Sequence, residues 1–216
     1  MALETFEFRV CQNPECGLRF PAARSNSFGG RCPVCLGRTV VVAARAMDRE
    51  GDGTTTHSLK ADCARLVVDN VRSALNVGSI LRTAEGYGFA HIYLCGITPT
   101  PEHPEVKKTA LGAEDAVTWS THKNAVELAV SLRREGMPIW ALERTPMSKA
   151  IEKVVREAKQ GANLALVIGN EQAGVDPGIL ELADEVVQLD MQGRKRSFNV
   201  AVAFAIAAHE LSMKRN

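Results

Sequence analysis

The chain has 216 residues, 45% hydrophobic and 24% charged, and its 26 Lys and Arg against 25 Asp and Glu leave a formal net charge of +1. This composition excludes collagen-like, wholly disordered and coiled-coil proteins, and the length accommodates one domain of about 150 residues plus a small appendage. A charge near zero removes the simplest argument for a nucleic-acid partner, a uniformly basic surface, so any such contact has to be local.

The first residues, MALETFEFRV, carry two Glu and neither a basic n-region nor an apolar h-region. No signal peptide is expected, and the expected location is cytoplasmic. The best candidate for a membrane span, the uncharged run Ser197–Ala208, is shorter than the about 18 residues a span needs, so no membrane association is predicted.

Residues 1–45 hold four of the six cysteines, and Cys11, Cys16, Cys32 and Cys35 are spaced C-x4-C-x15-C-x2-C. Two close thiolate pairs clamping one ion from opposite sides are the pattern of a structural Zn2+ site, with all four positions filled by protein. The alternatives are redox-active pairs or unrelated buried thiols. Gly17 and Gly37 are expected to permit the tight turns. A segment of about 45 residues builds too little core to fold alone, so the metal would supply its stability. Six Arg oppose three Glu here, and Phe6, Phe8, Phe20 and Phe28 either stack on single-stranded RNA or form the ribbon's small core. Residues 46–60, nearly devoid of apolar side chains, read as a linker.

From residue 61 to 216, short apolar runs alternate with helical stretches. Strands are predicted at Leu66–Asp69, His91–Cys95, Ala116–Trp119, Pro138–Leu142, Leu164–Ile168 and Glu185–Leu189, and helices near 77–87, 105–111, 122–135, 148–159, 178–184 and 199–213. Apolar strands such as LALVI between amphipathic helices indicate an α/β domain with a parallel sheet covered on both faces. Such sheets bind ligands at the carboxyl ends of their strands, and three segments put Gly and polar groups there. In the first, Asn76 stands at a helix start, as a cap or a functional amide, and Arg82 lies about 9 Å further along the axis. The second is GNEQAG with Glu171; the third is a loop carrying Arg194, Lys195 and Arg196 ahead of Ser197 and Asn199. The last helix is apolar almost all round, which calls for a second subunit as well as the sheet. Neither glycine segment fits a dinucleotide-binding or P-loop pattern.

Together these segments resemble the SpoU-type, or TrmH-like, RNA ribose 2′-O-methyltransferases of the SPOUT superfamily. NVGSILRTA matches the N-x-G-x-x-x-R-T-A motif with Asn76 and Arg82, GNEQAG matches G-x-E-x-x-G from Gly169 to Gly174, and LDMQGRKRSFNV matches the third motif. In the last, Asp190 stands where the family usually has Pro and Phe198 where it has Leu. The resemblance implies a SPOUT-type sheet with a carboxyl-terminal trefoil knot and a homodimer with its active site at the interface. It further implies S-adenosylmethionine held by Leu142, Gly169, Leu189, Met191 and Phe198. Asn76, Arg82, Glu171, Ser197 and Asn199 are the implied catalytic group, and Arg194, Lys195 and Arg196 the expected contacts to the backbone of tRNA or rRNA. The alternative is a zinc-ribbon RNA-binding protein whose SPOUT-like domain does not catalyse.

Overall fold

The structure, a computed structural model, describes residues 4–25, 30–47, 64–158, 163–195 and 197–213. Phe28, Arg196 and residues 48–60 of the expected linker lie outside the described residues. The chain divides into two compact units, residues 1–56 and 57–216.

In the first unit, β1 (Glu4–Cys11) pairs antiparallel with β2 (Arg19–Ala23) on one side and β3 (Thr39–Met47) on the other. Burial is meagre. Phe6, Phe8 and Phe20 are only half-buried, and Val40, Val41 and Val42 on β3 are exposed, while Cys11 and Cys32 are buried. Among the described residues, Phe6, Phe8 and Phe20 therefore do not make a closed core. The centre of this unit is the sulfur cluster.

The second unit is a seven-stranded parallel sheet. Its strands are β4 (Arg65–Asp69), β5 (His91–Cys95), β6 (Trp119–His122), β7 (Ile139–Leu142), β8 (Lys149–Ala150), β9 (Ala165–Ile168) and β10 (Glu185–Gln188), in the order β6-β5-β4-β9-β7-β10-β8. All four residues of β9 are buried, as expected of a strand with helices on both faces. One face packs with α1 (Ala74–Gly86), α2 (Pro104–Ala110), α5 (Ile151–Glu157) and α7 (Val200–Ser212); the other packs with α4 (Ala125–Arg134) and α6 (Pro177–Leu182). β9 enters between β4 and β7, and β10 between β7 and β8. Late strands thus insert between earlier ones, the interleaving that the expected knot requires.

The expected strand at Ala116–Trp119 is displaced. Residues Ala113–Ala116 form the short helix α3, and the strand begins at Trp119. Gly112, at φ +94°, donates its amide to the buried Glu114 carboxylate at 2.8 Å, and this local turn takes Ala116 out of the sheet. The helix expected at 148–159 likewise gives its first residues to β8. In α1, a Cβ on Gly78 would run into Thr109 Oγ1 and the Val106 carbonyl, so Gly78 is what lets α2 cross α1 at close range. Among the described residues no helix is long and apolar enough to cross a membrane.

Candidate active site

Because every strand of the large sheet runs the same way, the segments after β4, β7, β9 and β10 gather at one edge. α1 begins there, and its N-cap is Ser73, whose hydroxyl accepts from the Asn76 amide at 3.3 Å. Asn76 is therefore not the cap that the sequence allowed. Its carboxamide bridges two distant segments: Nδ2 donates to Glu171 Oε1 at 3.1 Å, and Oδ1 accepts from Asn199 Nδ2 at 3.1 Å. Asn199 caps α7 through Oδ1, which accepts from Ala201 at 2.9 Å and Val202 at 3.4 Å. The orientation of both amides follows from the ends of this chain. Backbone N–H groups only donate, so Asn199 must turn Nδ2 to Asn76; a carboxylate only accepts, so Asn76 must turn Nδ2 to Glu171.

Glu171 also accepts from the backbone amides of Arg72 and Ser73, both at 3.0 Å. Partial burial works against its charge. The Arg72, Ser73 and Glu171 amides, together with Asn76, prevail and hold the carboxyl below its ordinary value. Glu171 is thus a second cap on α1, delivered from the loop after β9, and the start of α1 places an anion where the helix dipole favours one.

That loop is shaped by its neighbours. Asn170 Oδ1 accepts from the amides of Gln172 and Ala173 at 2.9 and 3.0 Å, an Asx-type turn, and Nδ2 donates to the Asn70 carbonyl at 2.7 Å. A Cβ on Gly169 would collide with the Gly174 carbonyl, and one on Gly174, at φ +75°, with the Glu143 carboxylate. Asn70 itself is left-handed at φ +56°, with Oδ1 accepting from Ile97 at 3.1 Å. A strained non-glycine residue at the carboxyl edge of the sheet is held by contacts on two sides.

The remaining predicted residues are placed as follows. Arg82 is exposed on α1, six residues and about 9 Å beyond Asn76. Ser197 and Phe198 are exposed just ahead of Asn199, and Phe198 is 39% exposed, so it is a surface residue in the single chain. Arg194 and Lys195 are exposed, and Met191 is half-buried. Leu142 ends β7 and Leu189 follows β10; their chain neighbours Glu143 and Gln188 line a cleft of about 670 Å³ with Arg144, Thr145, Pro146 and Ser148. Asp190, in place of the family's Pro, accepts from Gln188 Nε2 at 3.2 Å, and Gln188 Oε1 accepts from Ser148 at 2.7 Å. A side-chain relay stands where a ring would stiffen the backbone. Ser73, Asn70, Asn170 and Glu143 were not singled out from sequence. Asn after a strand, and Asn inside a glycine turn, are signals for the second and third; nothing local marks Glu143.

In the ribbon, the ligand atoms of Cys11, Cys16, Cys32 and Cys35 all lie within 4.8 Å of one another, with Cys11 to Cys35 at 3.4 Å and Cys16 to Cys32 at 3.7 Å. A tetrahedron of sulfurs about 2.3 Å from a zinc ion has edges of about 3.8 Å, so the four thiols fit that geometry. Gly17 is left-handed at φ +55°, as expected, but in the second turn the left-handed residue is Leu36 at φ +59° rather than Gly37. Gly37 is needed for space: its Cβ would lie 3.2 Å from Cys35 Sγ and 3.4 Å from Cys11 Sγ.

This fold and site define a parallel α/β protein with a polar cluster at the carboxyl edge of its sheet, the edge where such sheets bind ligands. The chain belongs to the SpoU rRNA Methylase family, which matches residues 64–209. It is 32% identical over 156 residues to a tRNA (guanosine(18)-2'-O)-methyltransferase of Aquifex aeolicus (strain VF5), covering 68% of this chain and 67% of that one. It is 29% identical over 146 residues to the 23S rRNA (guanosine(2553)-2'-O)-methyltransferase RlmP of Bacillus subtilis (strain 168), covering 68% of this chain and 56% of the relative. The structure of an AdoMet bound rRNA methyltransferase from Sinorhizobium meliloti superposes with a TM-score of 0.63 at 26% identity, over 70% of this chain and 56% of the other. The chain thus spans just over half the length of the last two proteins.

Proposed function

We propose that the protein transfers a methyl group from S-adenosylmethionine to a ribose 2′-hydroxyl of tRNA or rRNA. The observation that carries this reading is the bonded chain Glu171–Asn76–Asn199, which joins residues 95 and 123 positions apart, one from each of the three motifs. The relatives' activities, on tRNA and on rRNA, and the cofactor bound to the Sinorhizobium meliloti neighbour support the same chemistry. In the alternative, a non-catalytic RNA-binding protein, the same chain would serve only to cap α1 and α7.

Leu142, Gly169, Leu189, Met191 and Phe198 are the residues that would hold the cofactor; the first three stand on strand exits, and Leu142 and Leu189 are chain neighbours of residues that line the cleft. Bound there, S-adenosylmethionine supplies a methyl group already activated on a sulfonium, so that a C–O bond forms as the C–S bond breaks and sulfur keeps the electron pair. The protein's tasks are alignment and removal of the hydroxyl proton. A guanidinium with a pKa above about 12 is a poor base. Arg82 therefore orients the target phosphate and ribose and stabilises developing alkoxide charge, while the proton leaves to that phosphate or to water. Asn76, Glu171, Ser197 and Asn199 keep the starts of α1 and α7 in register around the ribose, and Arg194, Lys195 and Arg196 meet the RNA backbone.

The other parts follow from the same reading. A zinc ribbon over the expected residues 1–45, carried on to Met47 by the end of β3, holds structural Zn2+ on Cys11, Cys16, Cys32 and Cys35 and presents its arginines to RNA; the rest of the expected 46–60 segment links it to the methyltransferase domain, 61–216. The protein works as a homodimer through α7, where Val202 is 47% exposed on a helix with no Asp, Lys or Arg. Its place is the cytoplasm, where thiols stay reduced and RNA substrates occur. The test is Arg82→Ala: methylation should be abolished while cofactor binding by calorimetry persists. Loss of cofactor binding would make Arg82 structural, and a wild-type protein with no cofactor affinity at millimolar concentration would favour the non-catalytic reading.

A further inference from the structure

We infer that Glu143 is a positioning residue for the cofactor: its carboxylate ties the exit of β7 to the G-x-E-x-x-G turn and so sets the shape of the cleft between β7 and β10. The inference rests on the methyltransferase reading, which itself makes no use of Glu143.

Both carboxylate oxygens are committed to backbone. Oε2 accepts from Val175 at 2.9 Å, immediately after the turn, and Oε1 accepts from Arg144 at 2.8 Å. Its own amide donates to the Val187 carbonyl of β10 at 2.9 Å. One residue therefore joins the three segments that carry Leu142, Gly169 and Leu189. The turn is built to receive it, because the Glu143 carboxylate fills the space that a Gly174 side chain would occupy. The same carboxylate is half-buried and lines the cleft. A glutamine cannot replace it fully. It offers one carbonyl oxygen in place of two, so one of the two amides loses its acceptor and faces an NH2 group. With no side chain at position 143, the turn is untied from β7, and Gly169 no longer meets Leu142 and Leu189 at a fixed spacing.

The test measures S-adenosylmethionine binding by calorimetry and steady-state kinetics on the full chain with its metal, for wild type, Glu143→Ala, Glu143→Gln, Gly174→Ala and the Glu143→Ala/Gly174→Ala double variant. Loss of a hydrogen-bonded charge should weaken cofactor binding about tenfold in Glu143→Ala, with Glu143→Gln between it and wild type. KM for the cofactor should rise in step while kcat at saturation stays within about threefold, since the lost contact serves binding rather than the reacting atoms. Gly174→Ala should weaken binding in the wild type and do so less when Glu143 is already Ala, because the clash with the carboxylate is gone while the strain of a side chain at φ +75° remains. The inference fails if both Glu143 variants bind like wild type, if they lose only thermal stability, or if the two single effects multiply independently. Should Glu143→Ala not fold, Glu143→Gln and Gly174→Ala carry the test. A wild-type protein that binds no cofactor overturns the methyltransferase reading and this inference with it, a result separable from altered variants alone.

Discussion

Replacing Glu171 by Ala removes three hydrogen bonds together: those from the Arg72 and Ser73 amides and that from the Asn76 carboxamide. The two amides belong to the start of α1, so their loss is equivalent to losing an N-cap, about 0.5–2 kcal/mol. Attraction between the carboxylate and the helix dipole adds about 0.3–1 kcal/mol. Glu171 is exposed, and solvent screening holds the total near about 2 kcal/mol. In a unit of this size that is a fall in Tm of roughly 4–8 °C, and Glu171→Gln, which keeps one acceptor, should lose about half as much. Catalysis should fall further, by about a hundredfold, because Asn76 loses the partner that aims it at Asn199. The pH dependence has a definite sign. The folded carboxyl titrates below its ordinary value, so its stabilisation is fully present above the ordinary carboxylate range and is lost as pH falls through the folded pKa. Differential scanning calorimetry of wild type and Glu171→Gln from neutral pH downward should therefore show a gap that is constant at first and closes in acid. Equal Tm at neutral pH with parallel acid profiles would refute the argument.

Three further outcomes are expected. Metal analysis of protein purified without chelator should find about one zinc per chain, and Cys32→Ser should remove it and abolish amide-exchange protection in β1 to β3; far less than one zinc in the wild type would count against the ribbon. Gly78→Ala should destabilise the second unit by about 1–3 kcal/mol in urea unfolding, since its methyl group meets the backbone of α2; an unchanged midpoint would mean the helices separate without cost. Asp69 is 3% exposed, and burial, with the charge of Asp176, raises its pKa. Its contribution is therefore favourable below the ordinary carboxylate range and lost as pH rises through the folded value, so Asp69→Asn should melt higher than wild type at neutral pH, with the difference vanishing in acid. A lower Tm for Asp69→Asn at neutral pH would contradict this.

The first two motifs were legible in the sequence because each is built around glycines that mark close backbone approach, and the third because Ser197 and Asn199 precede an apolar helix; its Gly193 has open space around it. Gly78, Gly169 and Gly174 prove to be positions where a Cβ would strike a neighbour. What the sequence did not resolve were choices between equivalent local groups. Ser73 and Asn76 are both competent caps, and only the arrival of Glu171 and Asn199 from elsewhere assigns one to the helix and the other to the site. Ala116 and Val117 read as strand by apolarity, yet a left-handed Gly112 and the Glu114 side chain turn the chain there. Glu143 has no periodic or motif signal at all, because its partner is the backbone of a turn 32 residues away.

The strand order has a consequence for the time at which the site is completed during synthesis. β9 and β10 take interior places in the sheet, and the bonded chain is completed only by Asn199, so a shorter nascent chain can hold at most its Glu171–Asn76 half. Closing contacts across 95 and 123 positions is slow compared with helix formation, because the entropy of loop closure must be met before the contacts form. Until β9 is in place, β4 and β7 each lack a backbone partner on the side it will fill, and the half-made sheet is the species most open to aggregation or to chaperone capture. A chain assembled this way completes its site only when its last strand and helix are in place.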